Sequence, residues 1–190
     1  MRFKPLQMED LNDEQRRILR DIQQGPRGKN NPGRAEVPGG LFGVMIRAPG
    51  LADPGQQVGA YLRYGSCLDM RISEFGIIIT ARYWQSPRVW GAHCKLALQA
   101  GLSRQTAEDL ANSRKPSGMK DDEAVAWRFC TELHEKKNVS DETFQLTLKQ
   151  FGEQGVVDLT GVCGYYSMAS MMQNINDAPF VAGSVLPMPS

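Results

Sequence analysis

The stretch Glu74–Gly101, EFGIIITARYWQSPRVWGAHCKLALQAG, constrains the fold more than any other part of the chain. Its apolar residues recur at helical spacing on either side of a Ser-Pro break, so it predicts a helical hairpin. In the first half Ile77, Ile78 and Ala81 form a stripe, and Glu74 lies on that stripe. Ser86 and Pro87 supply an N-cap and a proline at the first position of the second helix, and Gly101 stops that helix after Ala100. The second stripe is Val89, Trp90, His93, Leu96, Ala97 and Ala100, which places a titratable ring where periodicity predicts core.

A lone inward histidine is commonly a hydrogen-bonded core residue, and a lone inward glutamate commonly pairs with an arginine. An acid and a histidine intruding together on facing helices point further, because burial and mutual coupling bring both toward the range useful for proton transfer. Counting residues from the turn near Ser86 gives Glu74 and His93 an axial offset on the order of 8 Å, which predicts contact through a water, another side chain or a neighbouring subunit.

The rest of the chain reads as helices separated by breakers. Asn12 and Gln15 form a capping box that opens a helix running to Gln24 and ending at Gly25. Residues 25–40, GPRGKNNPGRAEVPGG, are too rich in Gly, Pro and Asn for regular structure, and their Arg27, Lys29 and Arg34 either meet an anionic ligand or sit in solvent. Leu41–Ala48 is apolar and either helical or extended. Asp53 and Pro54 are expected to open a helix ending near Gly65. Ser103 caps a short helix to about Asn112, and Asp121 begins an amphipathic helix to about Asn138 with Val125, Phe129, Leu133, Trp127 and Cys130 on its buried side. His134, among charged neighbours near that helix's C-terminus, is expected to be solvated. Ser140 caps a helix stopped by Gly152, and a last long helix ends before Pro179. With no alternating strand pattern and no hairpin dipeptide, the fold class is all-α, and 190 residues suit a single domain, 1–190, with an irregular loop at 25–40.

Lys plus Arg at 22 against Asp plus Glu at 21 leaves a net charge of +1, so no electrostatic footprint for nucleic acid or an anionic membrane is present, and a small-molecule substrate is the expected partner. The N-terminal MRFKPLQMEDLNDEQ lacks the apolar run of a secretory signal, which gives a cytoplasmic expectation. Cys67, Cys94, Cys130 and Cys163 form no CxxC and no zinc-ligand spacing, so thiols and no metal or other cofactor are expected, with Cys130 and Cys163 as small buried hydrophobes.

The hairpin resembles the carboxymuconolactone decarboxylase and alkylhydroperoxidase D superfamily. The resemblance is carried by Glu74, Trp84, Trp90, His93, Ala97 and Ala100-Gly101-Leu102-Ser103, and Phe144, Phe151-Gly152, Gly155 to Leu159 and Gly164-Tyr165 are similar to the decarboxylase-like branch. It implies an alkylhydroperoxidase D-like helical bundle assembled as a homotrimer or homohexamer, for which the Met-rich, small-residue final helix offers an apolar face. The peroxidase branch carries a glutamate, eleven residues, Cys-x-His-Cys, three residues and a histidine. Here the outer Glu74 and His93 stand at that spacing, whereas Ser86 and Val89 occupy the thiol positions and Arg88 that of the inner histidine. Cys94 is turned about 100 degrees from His93 around the helix and does not replace a missing thiol.

The decarboxylase branch commonly has Tyr-Glu-Trp before the final histidine, where this chain has Arg88-Val89-Trp90. The resemblance therefore implies a cofactor-independent carboxy-lyase or related acid–base enzyme on a small carboxylated, aromatic-derived compound. His93 and Glu74 would be its catalytic residues, and Arg88, Trp90 and Trp84 would bind substrate. The alternatives are a thiol peroxidase, distinguished by hydroperoxide turnover that depends on Cys94, and a binding or assembly protein without chemistry.

Overall fold

Helix α5, Met70–Tyr83, is buried without interruption from Ile72 to Ala81. A helix apolar nearly all round has to be enclosed by neighbours on every side, and α5 is the element around which its part of the chain is packed. In this computed structural model residues 1–29, 39–179 and 186–188 are described, and among them every regular element is helical. They fall into two compact units, one of residues Met1–Gly65 with Met172–Ala178, the other of Ser66–Met171 with the segment from Pro179 onward.

The first unit begins with a 3-10 turn, Met8–Asp10, followed by α1, Asp13–Gln24. Asn12 accepts from the Gln15 N–H while the Gln15 side chain accepts from the Asn12 N–H, both at 2.9 Å, completing the expected capping box. The helix α2, Pro26–Lys29, is a single turn, which corrects the expectation of irregular chain from Gly25. Proline at a first helical position lacks only an N–H that would be unpaired there anyway. The remainder of the expected loop, including Arg34, lies outside the described residues. The guanidinium of Arg27 is buried over the Phe42 ring at 5.0 Å. Leu41–Ala48 resolves as helical, α3 spanning Gly40–Met45.

Helix α4, Pro49–Tyr64, starts earlier than Asp53. Pro49 is the N-terminal proline, and Pro54 sits within the helix. Leu11, Leu19 and Ile46 form an apolar cluster of this unit, and the Asn176 side chain and carbonyl accept the N–H groups of Phe3 and Arg2.

In the second unit Asp69 caps α5 through the Arg71 N–H at 2.8 Å. Helix α6, Pro87–Gln99, completes the hairpin with Gln85 in the left-handed region at φ 46° in the turn. Ser86 stands at the N-cap position, but its buried hydroxyl caps nothing and finds no partner among the described residues. Helix α7, Arg104–Ala111, is capped by Ser103, and α8, Asp121–Lys136, docks on α5. Arg71 joins these last two through Asp122 at 2.6 Å and the buried Glu123 at 2.5 Å. The last helix, α9, Asp141–Ile175, is broken at Gly152, whose φ of 70° and ψ of 177° are open to glycine and strained for other residues. Its second segment lies against α5. A Cβ on Gly76 would sit 3.2 Å from Val162 Cγ1, 3.3 Å from Leu159 Cδ1 and 3.7 Å from Cys130 Sγ, so the absent side chain is what lets the helices approach.

Candidate functional site

Glu74 and His93 are in direct contact, with Nδ1 of the imidazole 2.7 Å from Oε2 of the carboxylate. This corrects the expectation of an indirect contact. The residue count measures distance along two parallel axes, whereas packed helices cross at an angle, and both side chains add reach across the gap. The Glu74 side chain is 3 % exposed and that of His93 13 %, so the acid lies behind the ring and the ring lies between the acid and solvent. An ionised carboxylate only accepts, so in this pairing the imidazole donates from Nδ1 and its Nε2 is turned away from the acid. The edge of the ring is set by Tyr166, whose centroid is 4.9 Å away at an interplanar angle of 78°. Tyr166 belongs to α9, and nothing in the hairpin sequence announces it.

The other three sequence candidates are placed differently. Arg88, in the first turn of α6, is half-buried and has neither a hydrogen bond nor an ion pair among the described residues. Trp90 is fully enclosed and spends its N–H on the Leu186 carbonyl at 2.9 Å. Trp84, at the end of α5, donates to Ser167 Oγ at 2.8 Å. Cys94 follows His93 in sequence but is buried, and that burial, only partly opposed by the charge of Arg104, pushes its thiol up to about 11. At neutral pH it carries almost no thiolate, the form required for attack on a peroxide.

A second polar cluster lies on the α8 side of α5. His134 is buried, against the expectation that it would be solvated. Its ring stacks on Tyr83 with centroids 4.7 Å apart and its Nε2 is 2.9 Å from Thr80 Oγ1. Thr80 donates its own hydroxyl proton to the Gly76 carbonyl at 2.9 Å, so its oxygen accepts from His134 and the ring proton is on Nε2. Its charged sequence neighbours Glu135 and Lys136 are exposed, whereas His134 itself turns in toward α5. No spacing within α8 announces the cluster, because the partners of His134, Thr80 and Tyr83, belong to α5.

His134 also lines an open cavity of about 320 Å³ with Tyr83, Trp127, Arg82, Arg114 and Lys115. None of Glu74, Trp84, Arg88, Trp90 or His93 is in its wall. Among the described residues no group of three or more His, Cys, Asp and Glu side chains is placed to hold a metal ion, and no helix is long and apolar enough to cross a membrane.

No family model matches the sequence, and no curated protein matches it significantly. Solved structures do. A crystal structure of the debrominase Bmp8, a cysteine-to-alanine variant in complex with 2,3,4-tribromopyrrole, superposes with a TM-score of 0.69 over 94 % of this chain and 90 % of that one, at 14 % identity. The described residues therefore have the all-α, alkylhydroperoxidase D-like helical fold that the resemblance implies.

Proposed function

We propose that this chain is a cofactor-independent acid–base enzyme, a carboxy-lyase acting on a small carboxylated ring compound, with His93 moving the proton and Glu74 holding the ring for it. The observation that carries the reading is the 2.7 Å contact between a buried carboxylate and a partly exposed imidazole. A buried acid behind a histidine fixes which nitrogen faces it and leaves the outer nitrogen to exchange a proton with substrate. In a decarboxylation the bond between the ring carbon and the carboxyl carbon breaks, carbon dioxide leaves, and the electron pair stays as an enolate or carbanion. His93, protonated at Nε2, returns a proton to that carbon. Arg88, cationic and without a carboxylate partner among the described residues, is suited to hold a substrate carboxylate or the developing negative charge.

The debrominase that shares the fold was crystallised with a small halogenated ring, which supports a compact cyclic substrate here. The high Cys94 thiol weighs against a peroxidase dependent on that residue. The test is a panel of small cyclic carboxylic acids assayed for carbon dioxide release. Turnover of one of them that weakens chiefly through KM in Arg88→Gln supports the assignment. Saturable binding of such acids with no release at any pH assigns the fold to a binding role instead.

A further inference from the structure

The cavity beside His134 lies wholly within the second unit, where α5, α7 and α8 come to their C-terminal ends. Two residues of its wall, Gln85 and Ser113, stand just past α5 and α7 in the left-handed region, at φ 46° and 55°. The buried side chains of Ile79 and Leu110 and the half-buried indole of Trp127 make its apolar side. On its polar side are three cations, Arg82, Arg114 and Lys115, and the carboxylate of Glu135. Cations commonly gather at helix C-termini to meet the partial negative charge there, and Lys137 is of that kind, donating to the His134 carbonyl and, at 2.7 Å, to the Tyr83 hydroxyl. Arg82 donates to Ser113 Oγ through Nε at 3.0 Å, and Arg114 donates to Asp109 Oδ1 through Nη2 at 2.8 Å. Lys115 fits neither use. Its Nζ lies 5.5 Å from the centroid of the Trp127 ring, with no hydrogen bond or ion pair among the described residues. A cation over a ring face engages its charge but leaves its N–H donors open.

We propose that this cavity is a binding site for a flat aromatic carboxylate, separate from the Glu74–His93 pair and independent of its chemistry. The ring of the ligand lies against Ile79, Leu110 and Trp127. Its carboxylate accepts from the Lys115 ammonium and from Nη1 of Arg114, whose Nε and Nη2 are the atoms bound to Asp109. With Arg114 balanced by Asp109, Arg82 and Lys115 still outnumber Glu135, so the wall stays cationic and favours an anion. A volume of about 320 Å³ is at the lower end of the range that small-molecule sites span, which suits one or two rings. The apolar side alone would take a neutral ring equally well, and the cations alone would take inorganic phosphate. Together they select an anion that carries a ring.

The probe is 2-naphthoate, followed by equilibrium dialysis against the full chain. Saturable binding is expected, weakened roughly tenfold or more by Lys115→Gln, a change at an exposed position, and unaltered by Arg88→Gln. The neutral counterpart, 2-naphthalenemethanol, should bind roughly tenfold or more weakly than the acid, and inorganic phosphate at the same concentration should not displace it. Binding that Arg88→Gln weakens and Lys115→Gln does not would put the acid at the His93 site and overturn the proposal. So would an absence of saturable binding, equal binding of the neutral counterpart, or displacement by phosphate. Carbon dioxide release is no part of this readout, so failure of the decarboxylase reading leaves the result standing.

Discussion

Two histidines sit on either side of α5, and they are used in opposite ways. His93 keeps part of its ring exposed and faces one buried carboxylate, whereas His134 is buried against Thr80 and Tyr83. A ring with a single charged partner and an open edge can exchange a proton with something outside the protein. A ring that is stacked on a tyrosine and whose Nε2 proton is already bound to Thr80 contributes order to the packing around it. The difference shows that burial of a histidine carries little meaning by itself, and that its partners and its free edge decide its use.

The largest expected effect that separates the two is on turnover. His93→Gln should lower turnover of an identified substrate by roughly a hundredfold or more, the usual scale for a positioned acid or base, with the fold retained. Glu74→Gln should act in the same direction but less, since it orients the ring and does not meet substrate. Equal rates in both variants and the parent, measured at saturating substrate, would make the Glu74–His93 contact structural and erase the contrast with His134.

On the other side of α5 the expected losses are of stability. His134→Leu leaves Thr80 without its donor and Tyr83 without the ring stacked on it, at a cost of roughly 1 to 3 kcal/mol in chemical denaturation. The turnover of the folded fraction should not change. A rate loss comparable to that of His93→Gln would show that the two histidines serve one reaction. The smallest effect belongs to Thr80→Val, which removes a hydroxyl bonded to both Gly76 and His134 while nearly keeping its shape. We expect about 1 kcal/mol, at the low end of the cost of a buried group losing its partner.

The same contrast explains what could be read from the chain alone. Glu74 and His93 break apolar stripes, and a polar residue inside a stripe of period 3.6 is visible without coordinates. The capping box at Asn12, the Ser103 cap and the glycine break at residue 152 are equally local, and each falls where the sequence places it. The Thr80, Tyr83 and His134 cluster is built from residues each ordinary in its own helix, and only the packing of α8 on α5 brings them together. The early start of α4 escaped for a different reason. Two prolines compete for its first turn, and nothing local says that Pro49 wins over Pro54. Direct contact between Glu74 and His93 required the angle between helices, which residue counting does not contain.

Trp90 gives the second unit an optical handle. Its indole is shut away from water and its N–H is held by the carbonyl of Leu186, close to the C-terminal end of the chain. An indole in that setting emits at short wavelength, and emission moves to the red as water reaches it. Release of the terminal segment would therefore register as a colour change from one ring in the hairpin core, before any helix has melted.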